Sequence, residues 1–109
     1  MTDMHFIKGA TLAGISGRSQ DVFNPATGAV VGTVPLASTG EVDAAIAAAK
    51  AALPGWANTP PAKRAQVMFK FRDRIIRHLD KLAGLISAQH GKTLDDARGE
   101  VARGLEVVE

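Results

Sequence analysis

The sequence predicts a β-rich opening, a β-hairpin region over residues 5–36, followed by three or four α-helices over residues 39–109. Three observations carry this. Extended runs flank the turn Asn24-Pro25-Ala26-Thr27-Gly28. Helix-start patterns recur at Ser38-Thr39-Gly40-Glu41, Thr59-Pro60-Pro61 and Thr93 to Asp96. Apolar residues then repeat at helical spacing to the last residue.

The elements follow in order. Residues 5–15 read as a short strand, a turn at Gly9-Ala10 and a second short run. Ser16 to Asp21 is polar and turn-forming. Val22 and Phe23 resume an extended stretch. In the turn that follows, Pro25 presets φ, Asn24 can bond the backbone ahead of it, and Gly28 accepts a positive φ. Ala29 to Val34 is the returning strand, and a hairpin is the simplest pairing. A capping box opens the first helix, with a hydroxyl at the cap and Glu41 three residues on. Its face, Val42, Ala45, Ile46, Ala49 and Leu53, is rich in alanine and suits close packing. Pro54-Gly55 is expected to end it.

Thr59 is the expected cap of the next helix, with prolines in the first turn. Met68, Phe71, Ile75, Leu79, Leu82 and Ile86 form its stripe, with a bend or restart near His78 and Asp80 as a new cap. Gly91 suits a left-handed C-terminal cap. The last stripe is Ala97, Val101, Leu105 and Val108. It meets no stop signal before Glu109, so the sequence reads as part of a longer element.

Composition excludes several functions. The chain has 109 residues, 46% of them hydrophobic, and a net charge of +2, which argues against a disordered charged tail. It has no cysteine, which excludes a disulfide scaffold, a thiol nucleophile and a Cys-ligated zinc site within these residues. No run of about 18 apolar residues is present, so no transmembrane helix is expected. The opening residues, with Asp3 and His5, lack a signal-peptide pattern, and a cytoplasmic setting is the expectation.

Motif tests are mostly negative. Gly91-Lys92-Thr93 resembles the end of a phosphate-binding loop, but Ile86 stands where the first glycine is required. Gly9, Gly14 and Gly17 miss the spacing of a dinucleotide fingerprint. His5, His78 and His90 lack metal-ligand spacing. The basic residues Lys63, Arg64, Lys70, Arg74 and Arg77 read as a solvated face rather than a nucleic-acid surface. Arg103 has two readings. It sits between Gly99 and Gly104, opposite the last stripe, where it could clamp a carboxylate through two hydrogen bonds. Otherwise it is a solvated arginine paired with Glu100 or Glu106.

The turn 24–28, with Gly32-Thr33-Val34-Pro35 after it, resembles the N-terminal part of the aldehyde dehydrogenase superfamily. The resemblance continues through Glu41 to Ala45, Trp56, Pro61 to Ala65 and His90 to Thr93, from about His5 to Glu109. His5-Phe6-Ile7, Ala13 to Arg18, Asp21 to Pro25 and Gly99 to Glu109 look most like the CoA-acylating methylmalonate-semialdehyde dehydrogenases. Gln89 and Lys8-Gly9-Ala10 depart from that pattern.

The resemblance implies a larger, oligomeric enzyme with an α/β, three-layer aldehyde dehydrogenase-like fold. Residues 1–109 would be the first part of its NAD-binding domain. It implies a semialdehyde substrate, with NAD and CoA as co-substrates and a cysteine nucleophile beyond Glu109. It assigns no catalytic, cofactor or metal residue to this chain, which alone would be inactive. It associates the arginine of the Glu-Val-x-Arg-Gly segment, here Arg103, with the substrate carboxylate. The alternative is a free-standing helical binding module with a basic face. A third reading is a structural piece that associates with full-length subunits.

Overall fold

The computed structural model describes residues 4–109, so Asp3 of the opening lies outside the described residues. The chain divides into two compact units. One holds the residues up to Phe23 together with Thr27–Asn58, and the other holds Asn24–Ala26 with Thr59–Glu109.

The first unit contains two antiparallel hairpins where a single hairpin was the simplest expectation. Strands β1 (His5–Ile7) and β2 (Ala10–Leu12) pair with Phe6 opposite Thr11. Their turn is Lys8-Gly9, one residue earlier than expected. Both residues have positive φ, 54° and 77°, as a two-residue turn matched to strand twist requires. Strands β3 (Ser19–Phe23) and β4 (Val30–Pro35) pair from Ser19 opposite Pro35 to Phe23 opposite Val30, with a bulge after Val22. The polar Ser19-Gln20-Asp21 segment is therefore strand, not turn. A sheet face open to water accepts polar side chains, and the ladder to β4 satisfies the backbone. In the connecting turn the Ala26 N–H donates to Asn24 Oδ1 at 2.9 Å, as the sequence implied.

Helix α1 (Thr39–Ala57) begins at the expected capping box. The Glu41 N–H donates to Ser38 Oγ at 3.3 Å, and the Ser38 N–H donates to Glu41 Oε2 at 2.8 Å. Pro54 lies inside the helix and does not end it. Proline has a helical φ, but it forfeits the bond to the preceding turn and its ring crowds the carbonyl four residues before it, and the helix persists despite both. The helix continues until the Asn58 N–H closes on the Pro54 carbonyl at 3.1 Å. None of its residues is buried, and Val42, Ile46 and Leu53 are 46%, 54% and 60% exposed, so its alanine-rich face is open.

The second unit holds α2 (Pro61–Arg77), α3 (Leu79–His90) and α4 (Leu94–Val108). The N-cap of α2 is Pro60, not Thr59, with Pro61 at the first helical position. The expected restart occurs at His78, whose φ of −113° interrupts the helix. His78 is also the N-cap of α3, so Asp80 sits in the first turn and does not cap it. Gly91 takes the predicted left-handed conformation at φ 73°. Thr93 caps α4 by accepting the Asp96 N–H at 3.2 Å. The buried apolar residues are Ala83 on α3 and Ala97 and Val101 on α4. Two alanines allow α3 and α4 to approach closely, and this contact is the core of the unit.

Candidate functional site around Arg103

Helix α4 carries the candidate residue. Ala97, Val101 and Leu105 form its inward stripe, so the helix rotation places Arg103 on the exposed side. Gly99 lies four residues before Arg103, on the same face, because positions four apart are neighbours on a helix. A long helical side chain leans over the turn preceding it. A side chain at Gly99 or Gly104 would meet nothing within 4 Å, so the surface beside Arg103 is bare. Among the described residues, none fills the space that the glycines leave.

The charges around Arg103 are divided unequally. Lys92 Nζ bonds Glu100 Oε1, which spans the Gly91 cap and the first turns of α4. Arg98 Nε bonds Asp80 Oδ1 at 2.9 Å, and its Nη1 bonds Asp95 Oδ1 at 3.0 Å. Arg72 Nε bonds Glu109 Oε1 at 2.6 Å. Among the described residues, Arg103 has no ion pair within 4.0 Å, although Glu100 and Glu106 lie three positions away on either side. Arg103 is exposed on a surface helix, as the solvated reading expected, but neither glutamate forms an ion pair with it.

Titration behaviour follows these contacts. The hydrogen bond from Lys92 holds the Glu100 carboxyl below its ordinary value, and the charges of His90 and Arg103 act in the same direction. Asp80, and then Asp95, hold the Arg98 guanidinium above its ordinary value. In the first unit, the Ser38 and Ile15 backbone N–H groups hold the Glu41 carboxyl below its ordinary value. The Ile15 N–H reaches Glu41 Oε1 at 2.8 Å, and His5 Nε2 lies 3.9 Å from the same oxygen. Glu41 thereby ties the loop after β2 to the start of α1, a structural role.

Arg103, its flanking glycines and the glutamates three residues away were legible in the sequence; which cations meet those glutamates was not. The Arg98–Asp95 pair went unread, although its spacing of three helix positions is a sequence signal for it. The Lys92–Glu100 pair had no such signal, since Lys92 precedes the helix and figured in the sequence only in the failed phosphate-loop match and in the family resemblance. That match fails in the structure too, because Gly91 follows a helix and not a strand. Among the described residues, no three His, Cys, Asp or Glu side chains cluster to hold a metal, and no helix is long and apolar enough to cross a membrane.

Residues 13–109 match the model of the aldehyde dehydrogenase family. The chain belongs to the aldehyde dehydrogenase family. It is 51% identical to malonate-semialdehyde dehydrogenase of Pseudomonas aeruginosa over 96% of its own length and 21% of that protein's. It is 46% identical to the human acylating methylmalonate-semialdehyde/malonate-semialdehyde dehydrogenase over 95% of its length and 19% of that protein's. Among solved structures, it resembles a chain from Sinorhizobium meliloti, named for methylmalonate-semialdehyde dehydrogenase and complexed with NAD. The TM-score is 0.95 and the identity 50%, covering 99% of this chain and 22% of that one. Methylmalonate-semialdehyde dehydrogenase of Oceanimonas doudoroffii gives a TM-score of 0.93 at 50% identity, with the same coverage. The chain thus spans about a fifth of the length of these relatives, and its hairpins and four helices have the fold of an N-terminal part of an aldehyde dehydrogenase.

Proposed function

We propose that these 109 residues are the N-terminal portion of an NAD-dependent, CoA-acylating dehydrogenase of malonate or methylmalonate semialdehyde, and that Arg103 binds the substrate's carboxylate. The names of the relatives support the substrate class, and the NAD complex of the Sinorhizobium meliloti protein supports the cofactor. In this reading the chain is the first part of the NAD-binding domain of a cytoplasmic homo-oligomer. NAD, when bound, accepts hydride from the aldehyde carbon, and CoA receives the acyl group. The chain has no cysteine nucleophile and no dinucleotide-binding glycine turn, so this reading assigns neither co-substrate to its residues. No step of the oxidation is assigned to them, and alone they are expected to be inactive.

The observation that carries the role of Arg103 is its place beside bare helix surface with, among the described residues, no ion pair, while its neighbours on and before α4, Lys92 and Arg98, have carboxylate partners. A semialdehyde with a carboxylate needs a cation to orient it, and arginine presents a planar fork of matching geometry. A charged hydrogen-bonded contact contributes roughly 1.5–3 kcal/mol. Arg103→Ala in the full-length enzyme should therefore lower kcat/KM for carboxylated aldehydes about 10- to 150-fold. Neutral aldehydes of similar length should lose much less. Equal losses for the two substrate classes would overturn the assignment.

A further inference from the structure

The same site contains an acid that could disable it. Glu100 lies three residues before Arg103 on α4, a spacing at which helix side chains of opposite charge pair. In the structure they do not. Glu100 Oε1 is held instead by Lys92 Nζ, from the segment between Gly91 and the cap Thr93. We propose that Lys92 is a positioning residue for substrate selection, which holds Glu100 away from Arg103 and so leaves the guanidinium open to a carboxylate. The inference rests on the carboxylate-binding role of Arg103 given above.

Two further observations fit this division of charge. The Lys92 and Glu100 side chains remain 29% and 43% exposed, and ion pairs at such exposure contribute little to stability. A stability role therefore gives little account of the pair. Lys92 also stands at a defined place, since Gly91 is in the left-handed conformation, with Pro25 Cγ only 3.0 Å from where a side chain on it would begin. Thr93, on the other side, is fixed as the α4 cap by its bond from the Asp96 N–H. The lysine backbone is thus anchored on both sides, and the ammonium reaches the second turn of α4.

Removing the Lys92 charge frees Glu100 in two ways that act together. The carboxylate can turn to Arg103, and its charge, no longer neutralised, repels the incoming substrate carboxylate. An exposed pair at helix spacing is worth a few tenths to one kcal/mol, equivalent to a change of about two- to five-fold in apparent affinity.

The test is a set of variants in the full-length enzyme, with steady-state kinetics on malonate semialdehyde and on a neutral aldehyde of similar length. Lys92→Met should raise KM for the semialdehyde about two- to five-fold, with kcat changing less than KM and a smaller effect on the neutral aldehyde. Adding Glu100→Gln to Lys92→Met should bring KM back, and Lys92→Arg should keep it low. No rise in KM, or a rise that Glu100→Gln does not reverse, overturns the inference. Arg103→Ala, measured alongside, separates the two claims. A selective loss there without a Lys92 effect removes the positioning role alone, and an unselective loss removes the carboxylate site itself.

Discussion

Two valines on α4 offer a direct measure of what the α3–α4 contact contributes. Val101 is 8% exposed and Val107 is 87% exposed. Truncating either to alanine removes two methyl groups and changes helix propensity by the same amount, so propensity cancels in the comparison. Each buried carbon is worth about 0.8 kcal/mol, so two fully buried methyls are worth about 1.6 kcal/mol. Scaling by burial leaves about 1.5 kcal/mol for Val101 and about 0.2 kcal/mol for Val107. Val101→Ala should therefore be less stable than Val107→Ala by about 1.3 kcal/mol, roughly a ten-fold difference in the folded-to-unfolded ratio. Any cavity left beside Ala83 and Ala97 would add to this gap. Urea unfolding of the two variants, followed by far-ultraviolet circular dichroism and fitted with a common slope, measures the difference. Equal midpoints, or a lower midpoint for Val107→Ala, would refute the placement of the core between α3 and α4.

Two other expectations concern the first unit. The Glu41 carboxyl is held below its ordinary value of 4.5 by the Ser38 and Ile15 N–H groups. Its contribution to stability is then present above about pH 4.5 and is lost as pH falls through the depressed folded value. Unfolding midpoints of the parent chain and of Glu41→Gln should converge on acidification, and a constant separation between pH 7 and pH 3 would contradict the role given to Glu41. Gly14 is a second sensitive position, because a Cβ built there falls 2.6 Å from Pro35 Cβ. Gly14→Ala should cost about 1–3 kcal/mol in thermal or urea unfolding, and an unchanged midpoint would show that the loop after β2 does not pack on β4 as described.

Local chemistry was the most legible part of the fold. Ser38 with Glu41, Thr93 with Asp96, and Asn24 with Ala26 each make their bonds within three residues, so a short sequence window contains both partners. Gly91 belongs to the same class, since its left-handed φ is a property of one residue. The errors came where local signals competed with pairing or continuity. Ser19 to Asp21 has turn-like composition, but the ladder to β4 makes it strand. Pro54 is a stop signal in isolation, but a helix already formed can absorb a proline near its end. Thr59 and Asp80 had the right chemistry for capping and stand one and two residues away from the caps that form.

The candidate site shows the same division. Arg103, its flanking glycines and its resemblance to the semialdehyde dehydrogenases were all present in the sequence, as was the absence of a nucleophilic cysteine. These depend only on which residues occur and in what order. Tertiary structure decided which charges meet. Lys92 takes Glu100 because the turn at Gly91 carries it past the cap to the side of α4, and Arg98 takes Asp80 because α3 packs against α4. Helix spacing alone allowed Arg103 to pair with either neighbouring glutamate. Ion pairing is a competition among all cations within reach of a carboxylate, and that reach is set by how the helices pack.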